Sequence, residues 1–555
     1  MKKWIVLYIL PALLFTDSIV YSQSAHRPST GSPAKKWNII FFLADDLGWK
    51  DLGYQGSSFY ETPHIDNFSK QGFCFSQAYA ACQVCSPTRA SILTGQYPAR
   101  LGLTDWLPGR KDFSFQKLKN VRSEQHLPYN ANPLPAVLKE NGYATAVYGK
   151  WHLGEDSAST QKQGFDVHVP QYNKGWPNGT YFSPFDMKGL EGGPKGEYLT
   201  DRLTTEAMKW MEQNRERPFF LYLAQFAVHD PIQGRGDLVV KYEKKKNKLP
   251  KKDSLPFILE GNPDDPAAFT RDQLNQRLND GQHQGIKVFA DRTVKIKQRQ
   301  DNPQFAALVE NMDENFGRVV DKVKELGIED HTIIIFFSDN GGMSAANFGN
   351  PARNVSVCDA DKAFSTSNYP LRGGKGWLYE GGIREPLIIY WPGHTKPGAH
   401  SDIPVISTDF YATILDMVGL GARPRGQNGV DGSSLVPLLE GNEQQAQQLK
   451  NKPLFWHFPH YSNHGAQSPG GAIRYGDYKL IEYFENNTVE LFNIKEDPYE
   501  QHNLAATEKA KAGELQSMLH QWRKDVGAKM PAANPKYNPA IKWPGNGEKD
   551  PDEDH

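Results

Sequence analysis

Several short stretches of this chain hold the residue types that chemistry needs. Cys85 opens the run Cys85-Ser86-Pro87-Thr88-Arg89-Ala90-Ser91-Ile92-Leu93-Thr94-Gly95. Pro87 suits the first turn of a helix and Gly95 can close one. The thiol then stands at a helix N-terminus, where free N–H groups and the macrodipole favour an anion, and Arg89 adds a fixed charge one turn on. A buried structural cysteine at a helix start is the plainer alternative. Asp45-Asp46 and Asp339-Asn340 are hard oxygen ligands that suit Ca²⁺, or Mg²⁺, better than a zinc site with its nitrogen and sulfur donors. Alone, such an acidic pair is more often a solvated loop or a cap. Lys150, His152, His229 and Lys375 supply cations and imidazoles for an anionic group and for proton transfer. Gly373, Gly374 and Gly376 around Lys375 permit close approach to an anion, or simply make a turn.

The elements that must position these residues read as α/β. Continuous apolar runs at 39–44, 144–148, 219–227, 333–337 and 387–391 are the pattern of strands buried on both faces. They alternate with helical stretches at 134–140, 201–214, 304–326 and 409–418, the last with Ser407-Thr408 as its expected cap. That alternation predicts a mostly parallel sheet flanked by helices. The first run ends in Asp45-Asp46, the second in Lys150-Trp151-His152, the third in His229-Asp230 and the fourth in Asp339-Asn340-Gly341. Ligands of open α/β sheets bind beyond the carboxyl ends of strands, so four runs converging there predict an active site. Residues 37–435 form the expected catalytic domain. Residues 436–525, with Tyr/Phe-rich short strands and a helix at about 507–524, predict a smaller α+β subdomain with an antiparallel sheet; 526–555 read as an irregular tail. Polar residues 232–300, with Lys244-Lys245-Lys246 and Lys251-Lys252, read as a surface insertion with some helix.

The spacing Cys85-x-Pro87-x-Arg89 followed by Leu93-Thr94-Gly95 resembles the signature of the formylglycine-dependent sulfatases, in the alkaline phosphatase superfamily. The likeness runs from about residue 37 to 505 and takes in Asp45-Asp46-Leu47-Gly48, Gly149-Lys150-Trp151-His152-Leu153-Gly154, Ser338-Asp339-Asn340-Gly341, Gly373-Gly374-Lys375-Gly376 and Glu380-Gly381-Gly382-Ile383-Arg384. Thr88 stands where Ser or Ala is also common. The resemblance implies that Cys85 becomes 3-oxoalanine (formylglycine) and that Asp45, Asp46, Cys85, Asp339 and Asn340 hold one Ca²⁺. It further implies that the hydrated aldehyde attacks sulfur, and that Arg89, Lys150 and Lys375 neutralise the sulfuryl oxygens. His229 would protonate the leaving oxygen, and His152 would deprotonate the diol so that sulfate is expelled.

Substrate selectivity is expected from loops around the sulfate pocket, with Trp106, Arg110, Arg372, His457, His460 and Arg474 as candidates. The aromatic content, together with an N-terminal signal peptide, suits a carbohydrate sulfate from a host or algal polysaccharide, with a galactose- or galactosamine-type sugar the expectation, although filling the core is the plainer use for the twelve Trp. A formal net charge of −1 argues against nucleic acid as partner. Lys2 and Lys3, an apolar run at 4–15 and Val20-Tyr21-Ser22 before Gln23 read as a signal peptide over 1–22, with a flexible lead-in over 23–36. That run is too short to span a bilayer. Export to a periplasm or beyond follows, and the protein needs a formylglycine-generating or anaerobic maturating enzyme as partner. With Cys85 committed, Cys74, Cys82 and Cys358 leave room for one disulfide at most. Rival readings are a phosphomonoesterase, phosphodiesterase or phosphonate hydrolase on this fold, and a silent carbohydrate-binding scaffold, which would have lost a key residue; none is missing.

Overall fold

The computed structural model describes residues 1, 35–154, 159–250, 256–265, 269–280, 291–345, 364–421, 429–465, 467–541 and 543. Residues 2–22 of the expected signal peptide, Lys251, Lys252, Cys358 and 544–555 lie outside them. The large sheet contains strands β1 (Asn38–Ala44), β2 (Phe73–Tyr79), β3 (Ala144–Gly149), β4 (Val167–Val169), β5 (Phe219–Ala224), β6 (Thr332–Ser338), β7 (Arg384–Tyr390), β8 (His400–Ser401) and β9 (Val405–Ile406). Their order is β8-β2-β7-β6-β1-β5-β3-β4, with β9 also on β2. Pairing is parallel throughout except at β7, which runs antiparallel to both β6 and β2.

The run Ile39-Ile40-Phe41-Phe42-Leu43-Ala44 becomes the central strand because every residue can be buried and the β-branched and aromatic side chains suit a pleated surface. Successive side chains serve opposite faces. Ile40 and Phe42 pack towards the Leu199–Asn214 and Pro303–Glu325 helices; Ile39, Phe41 and Leu43 pack towards the Cys85–Thr94 and Asp409–Met417 helices. The Pro303–Glu325 helix starts at Asn302, whose side chain accepts from Gln304 N and Phe305 N, and buries Phe305, Leu308, Met312, Phe316, Val319 and Val323 at helical spacing. Its counterpart at Asp409 is not capped by Ser407-Thr408 as expected. Ser407 Oγ is engaged by Ser91 Oγ at 2.6 Å and Ala81 N at 2.9 Å, and Asp409, the first helical residue, reaches back to accept from Ile406 N at 3.0 Å.

A four-stranded antiparallel sheet follows, in the order Leu454–Phe458, Gly470–Tyr475, Tyr478–Tyr483, Val489–Asn493, covered by the Lys509–Asp525 helix. The polar insertion is more regular than expected: Phe257–Glu260 pairs antiparallel with Val294–Lys297. The tail is anchored too, since Ala532–Ala533 pairs with Leu118–Lys119 and Trp543 is buried against Phe115. Cys74, Cys82 and Cys85 are free thiols. No described helix is long and apolar enough to cross a membrane.

Candidate active site

Register builds the site. Ala44 pairs with Ser338, so Asp45 and Asp339, one residue further on each strand, emerge side by side at the carboxyl edge. Asp46 turns into the left-handed region (φ 60°), and its N–H lies 3.3 Å from Asp339 Oδ1. From β3, whose Gly149 pairs with Ala224, come Lys150 and His152. Beyond β5 the backbone is tied to β1 by Asp45 N to Ala227 O (2.9 Å) and Val228 N to Asp45 O (2.7 Å), which brings His229 towards Asp46. Two deliveries were not foreseen. β2 leads into the Cys85–Thr94 helix, and antiparallel β7 presents its amino end at this edge, carrying the Lys375 loop with it.

Cys85 is the first residue of its helix, and Gly95 (φ 68°) closes it, as expected. The approach is pinned by Thr88, whose hydroxyl donates to Cys82 O at 2.9 Å and accepts from Cys82 N at 3.2 Å. Cys85 Sγ lies 3.3 Å from His152 Nδ1, and His152 Nε2 lies 2.7 Å from Leu107 O. A carbonyl only accepts, so Nε2 carries the proton and Nδ1 is the free acceptor facing Cys85. Ser86 Oγ accepts from Leu107 N at 3.2 Å, which fixes the carbonyl that orients the imidazole. Burial, reinforced by Lys150, holds His152 neutral, well below the usual histidine range. Burial also raises the Cys85 thiol despite Lys150 and Lys375, so it stays protonated.

Charges interleave around the thiol. Lys150 Nζ donates to Asp45 Oδ2 at 2.6 Å, Lys375 Nζ to Asp46 Oδ2 at 2.7 Å, and Arg89 Nε to Asp339 Oδ2 at 2.8 Å. Arg89 also donates to Lys150 O at 3.0 Å. Burial and the neighbouring Asp339 push Asp45 up to about 8, Lys150 and Arg89 only partly opposing them. For Asp46 burial is outweighed by Lys375, His229 and Lys150, which hold it well below the carboxylate range.

Hard oxygens here are short of partners. Asp45 Oδ1 and Asn340 Oδ1 are buried with no hydrogen bond, while Asn340 Nδ2 donates to Asp46 Oδ1 at 2.8 Å. Asp45, Asp46 and His229 offer ligand atoms within 4.8 Å of one another. Orphaned buried oxygens beside mutually repelling carboxylates are the environment a hard divalent cation relieves. The residues present therefore fit such an ion. His229 Nε2 lies 3.6 Å from Asp46 Oδ2 and its Nδ1 3.1 Å from Asp230 O. It also borders the cavity, and oxygen donors outnumber it, so the substrate side is its better assignment.

The cavity above this cluster measures about 520 Å³ and is lined by Cys85, His152, His229 and Lys375 among others, a size suited to a small ligand. Of the six selectivity candidates only Trp106 lines it. Arg110 instead donates to Ser462 O at 2.8 Å and lies over the Phe113 and Trp543 rings. Arg372 is tied to Glu260 Oε1 (2.7 Å) and Glu500 O (3.1 Å), and borders a different cavity. His457 is bonded to Lys529 O at 2.9 Å, His460 to Thr104 Oγ1 at 2.9 Å, and Arg474 to Tyr79 and Gln77. Buried carbonyls, hydroxyls and carboxylates distant in sequence claim these polar groups, which corrects the expectation that they face substrate. Trp176, Asn463 and His464 line the cavity without having been singled out.

A sheet that gathers a buried thiol, buried cations and unsatisfied hard oxygens at one edge defines a hydrolase of the alkaline phosphatase superfamily. The sulfatase family profile matches residues 37–420, and that of the N-sulphoglucosamine sulphohydrolase C-terminal region matches 374–527. A sulfatase of Formosa agariphila is 29% identical over 91% of this chain and 90% of its own length. The N-acetylgalactosamine-6-sulfatase of Mus musculus is 30% identical over 82% of this chain and 74% of its own. The crystal structure of Ps i-CgsB superposes with a TM-score of 0.65 at 26% identity, covering 89% of this chain and 94% of that one. The chain belongs to the sulfatase family, and its activity is hydrolysis of sulfate esters.

Proposed function

We propose that the protein is an exported sulfatase that removes an O-sulfate from a carbohydrate, using one Ca²⁺ and a formylglycine made from Cys85. The observation that carries this reading is the convergence of Cys85 with three buried cations and with the unpartnered oxygens of Asp45 and Asn340. The name of the murine relative and that of a second Ps i-CgsB structure, a complex with k-i-k-neocarrahexaose, support a carbohydrate substrate.

Asp45, Asp46, Asp339 and Asn340, with the group at position 85, would hold the cation, which supplies Lewis-acid polarisation of a sulfuryl oxygen when bound. The aldehyde would supply an oxygen nucleophile able to release sulfate without water attacking sulfur. The remaining work falls to side chains. Lys375 keeps its charge, since Asp46 outweighs the cost of burial and raises it. With Lys150 and Arg89, all three buried, it offsets negative charge developing on the sulfuryl oxygens. His152 Nδ1 accepts a proton from the group at position 85, because Leu107 O keeps Nε2 protonated. His229 donates Nδ1–H to Asp230 O, so Nε2 is the atom that would protonate the departing alcohol. It does so only after the imidazole, which burial and Lys375 hold neutral, has taken up a second proton there.

Protein co-expressed with a maturating enzyme tests the reading. The peptide containing Cys85 should show the mass loss of conversion, the N-terminus should begin at Gln23, and sulfate release from sulfated mono- and oligosaccharides should vanish in Cys85→Ala. Preferential hydrolysis of phosphate or phosphonate esters would overturn it.

A further inference from the structure

Between the Leu454–Phe458 and Gly470–Tyr475 strands the chain loops over the cavity and is clamped there. Arg110 Nη1 donates to Ser462 O at 2.8 Å, Ser462 N to Gln467 O at 3.0 Å, and Leu378 N to Gln467 Oε1 at 2.6 Å. Leu378 stands three residues past Lys375, so loop and catalytic lysine are fixed to one another. On this loop His464 lines the same cavity as Cys85 and Lys375, is only 6% exposed, and has neither ring nitrogen hydrogen-bonded within the described residues. A buried imidazole with both nitrogens unsatisfied calls for a partner that arrives from elsewhere. Arg110 and Gln467 spend their own bonding on holding the loop, which keeps that imidazole beside the cavity.

We propose that His464, a residue of the C-terminal sheet's loop, recognises a hydroxyl on the alcohol side of the ester, and that the sulfate-bearing unit is a neutral, hydroxyl-bearing ring with no second anionic group. This rests on the carbohydrate reading above. A neutral imidazole offers one donor and one acceptor, the complement of a hydroxyl. Burial, with Lys375 nearby, pushes His464 down to about 3, so it presents no cation. Among the described residues that line the cavity, Lys375 is the one that carries a fixed positive charge, and Asp46 holds its ammonium at 2.7 Å. A carboxylate or second sulfate on the reacting ring would therefore be desolvated without a counter-charge. Trp106 and Trp176 offer flat apolar faces to the C–H side of such a ring.

The matured enzyme is assayed on a monosulfated neutral sugar, on the same ring bearing a second sulfate or a carboxylate, and on 4-nitrophenyl sulfate, which has no hydroxyl. His464→Ala should lower the ratio of kcat/KM for sugar over aryl ester about 10- to 100-fold, as expected when a site built to bond a hydroxyl loses its partner. His464→Gln, which keeps a donor and an acceptor, should recover part of that ratio. The second anionic group should cost the wild type about tenfold or more. Equal losses on sugar and aryl ester without rescue by Gln, no loss on the sugar, or preference for the doubly anionic ring would each overturn the proposal. Aryl ester hydrolysed while every sugar is refused would sink the carbohydrate reading itself, a distinct result.

Discussion

Asp45 and Asp339 face each other because their strands are in register, and burial makes their repulsion expensive. Lys150 and Arg89 relieve it only in part, as the elevated Asp45 carboxyl records. A cation bound by Asp45, Asp46, Asp339 and Asn340 should thus stabilise the fold as well as serve catalysis. Calcium added to chelated protein at a hundred times its dissociation constant should raise stability by about 2.7 kcal/mol, read as a higher Tm. Asp45→Asn should lose most of that increment, and an increment unchanged in this variant would reject the assigned ligands. The residues that meet at the sheet edge were legible in the sequence because each follows an apolar run or sits in a distinctive motif. His464 was not: one histidine in a polar loop has no periodicity to betray it. Arg372, His457, His460 and Arg474 misled because charge among aromatics looks functional until the partners, such as Glu260 and Thr104, are brought close by folding.

Strands deliver the chemistry, and their ends are where substitution should be least tolerated. Gly149 closes β3 at φ 105°, and a Cβ there would lie 1.9 Å from Ala224 O on the neighbouring strand. No flexible side chain is available to give way, so Gly149→Ala must displace Lys150 and His152 or part the two strands. The left-handed backbone alone costs an alanine about 1–2 kcal/mol, and the clash adds to it. We expect Gly149→Ala to lower Tm by several degrees and to reduce kcat more than 100-fold; wild-type Tm and turnover would refute this account of the β3 edge. At this scale the sequence was informative about runs buried on both faces and silent about direction. β2 went unrecognised because Phe73-Cys74-Phe75-Ser76-Gln77 alternates rather than running apolar. That β7 opposes its neighbours cannot be read from composition, yet it is why Lys375 arrives from the start of a strand and not its end.

Over the whole molecule, the sheets and their helices bury many ionisable groups, and their titration sets how stability depends on pH. Asp51, Asp105 and Asp313 are each pushed up to about 7, burial outweighing the hydrogen bonds they accept. A folded carboxyl raised in this way contributes stability below its unfolded value of 3.8 and loses it as pH rises through about 7. Buried histidines act in the opposite sense: His168 and His457 are pushed down to about 4 and His460 to about 3, chiefly by burial. Their contribution is lost on acidification below about 6.5, where the unfolded chain takes up protons that the folded one refuses. The two sets oppose each other under acidic conditions. At pH 6.5 the unfolded histidines are still half protonated, so the two sets go on opposing each other to about pH 7.5, with the carboxyls the larger effect per group. Each net proton retained by the folded chain is worth about 1.4 kcal/mol per pH unit there. Chelated protein should therefore melt slightly lower, by about 1 °C, at pH 8.0 than at pH 6.5, and a Tm higher at pH 8.0 would mean that these carboxyls are ionised in the fold.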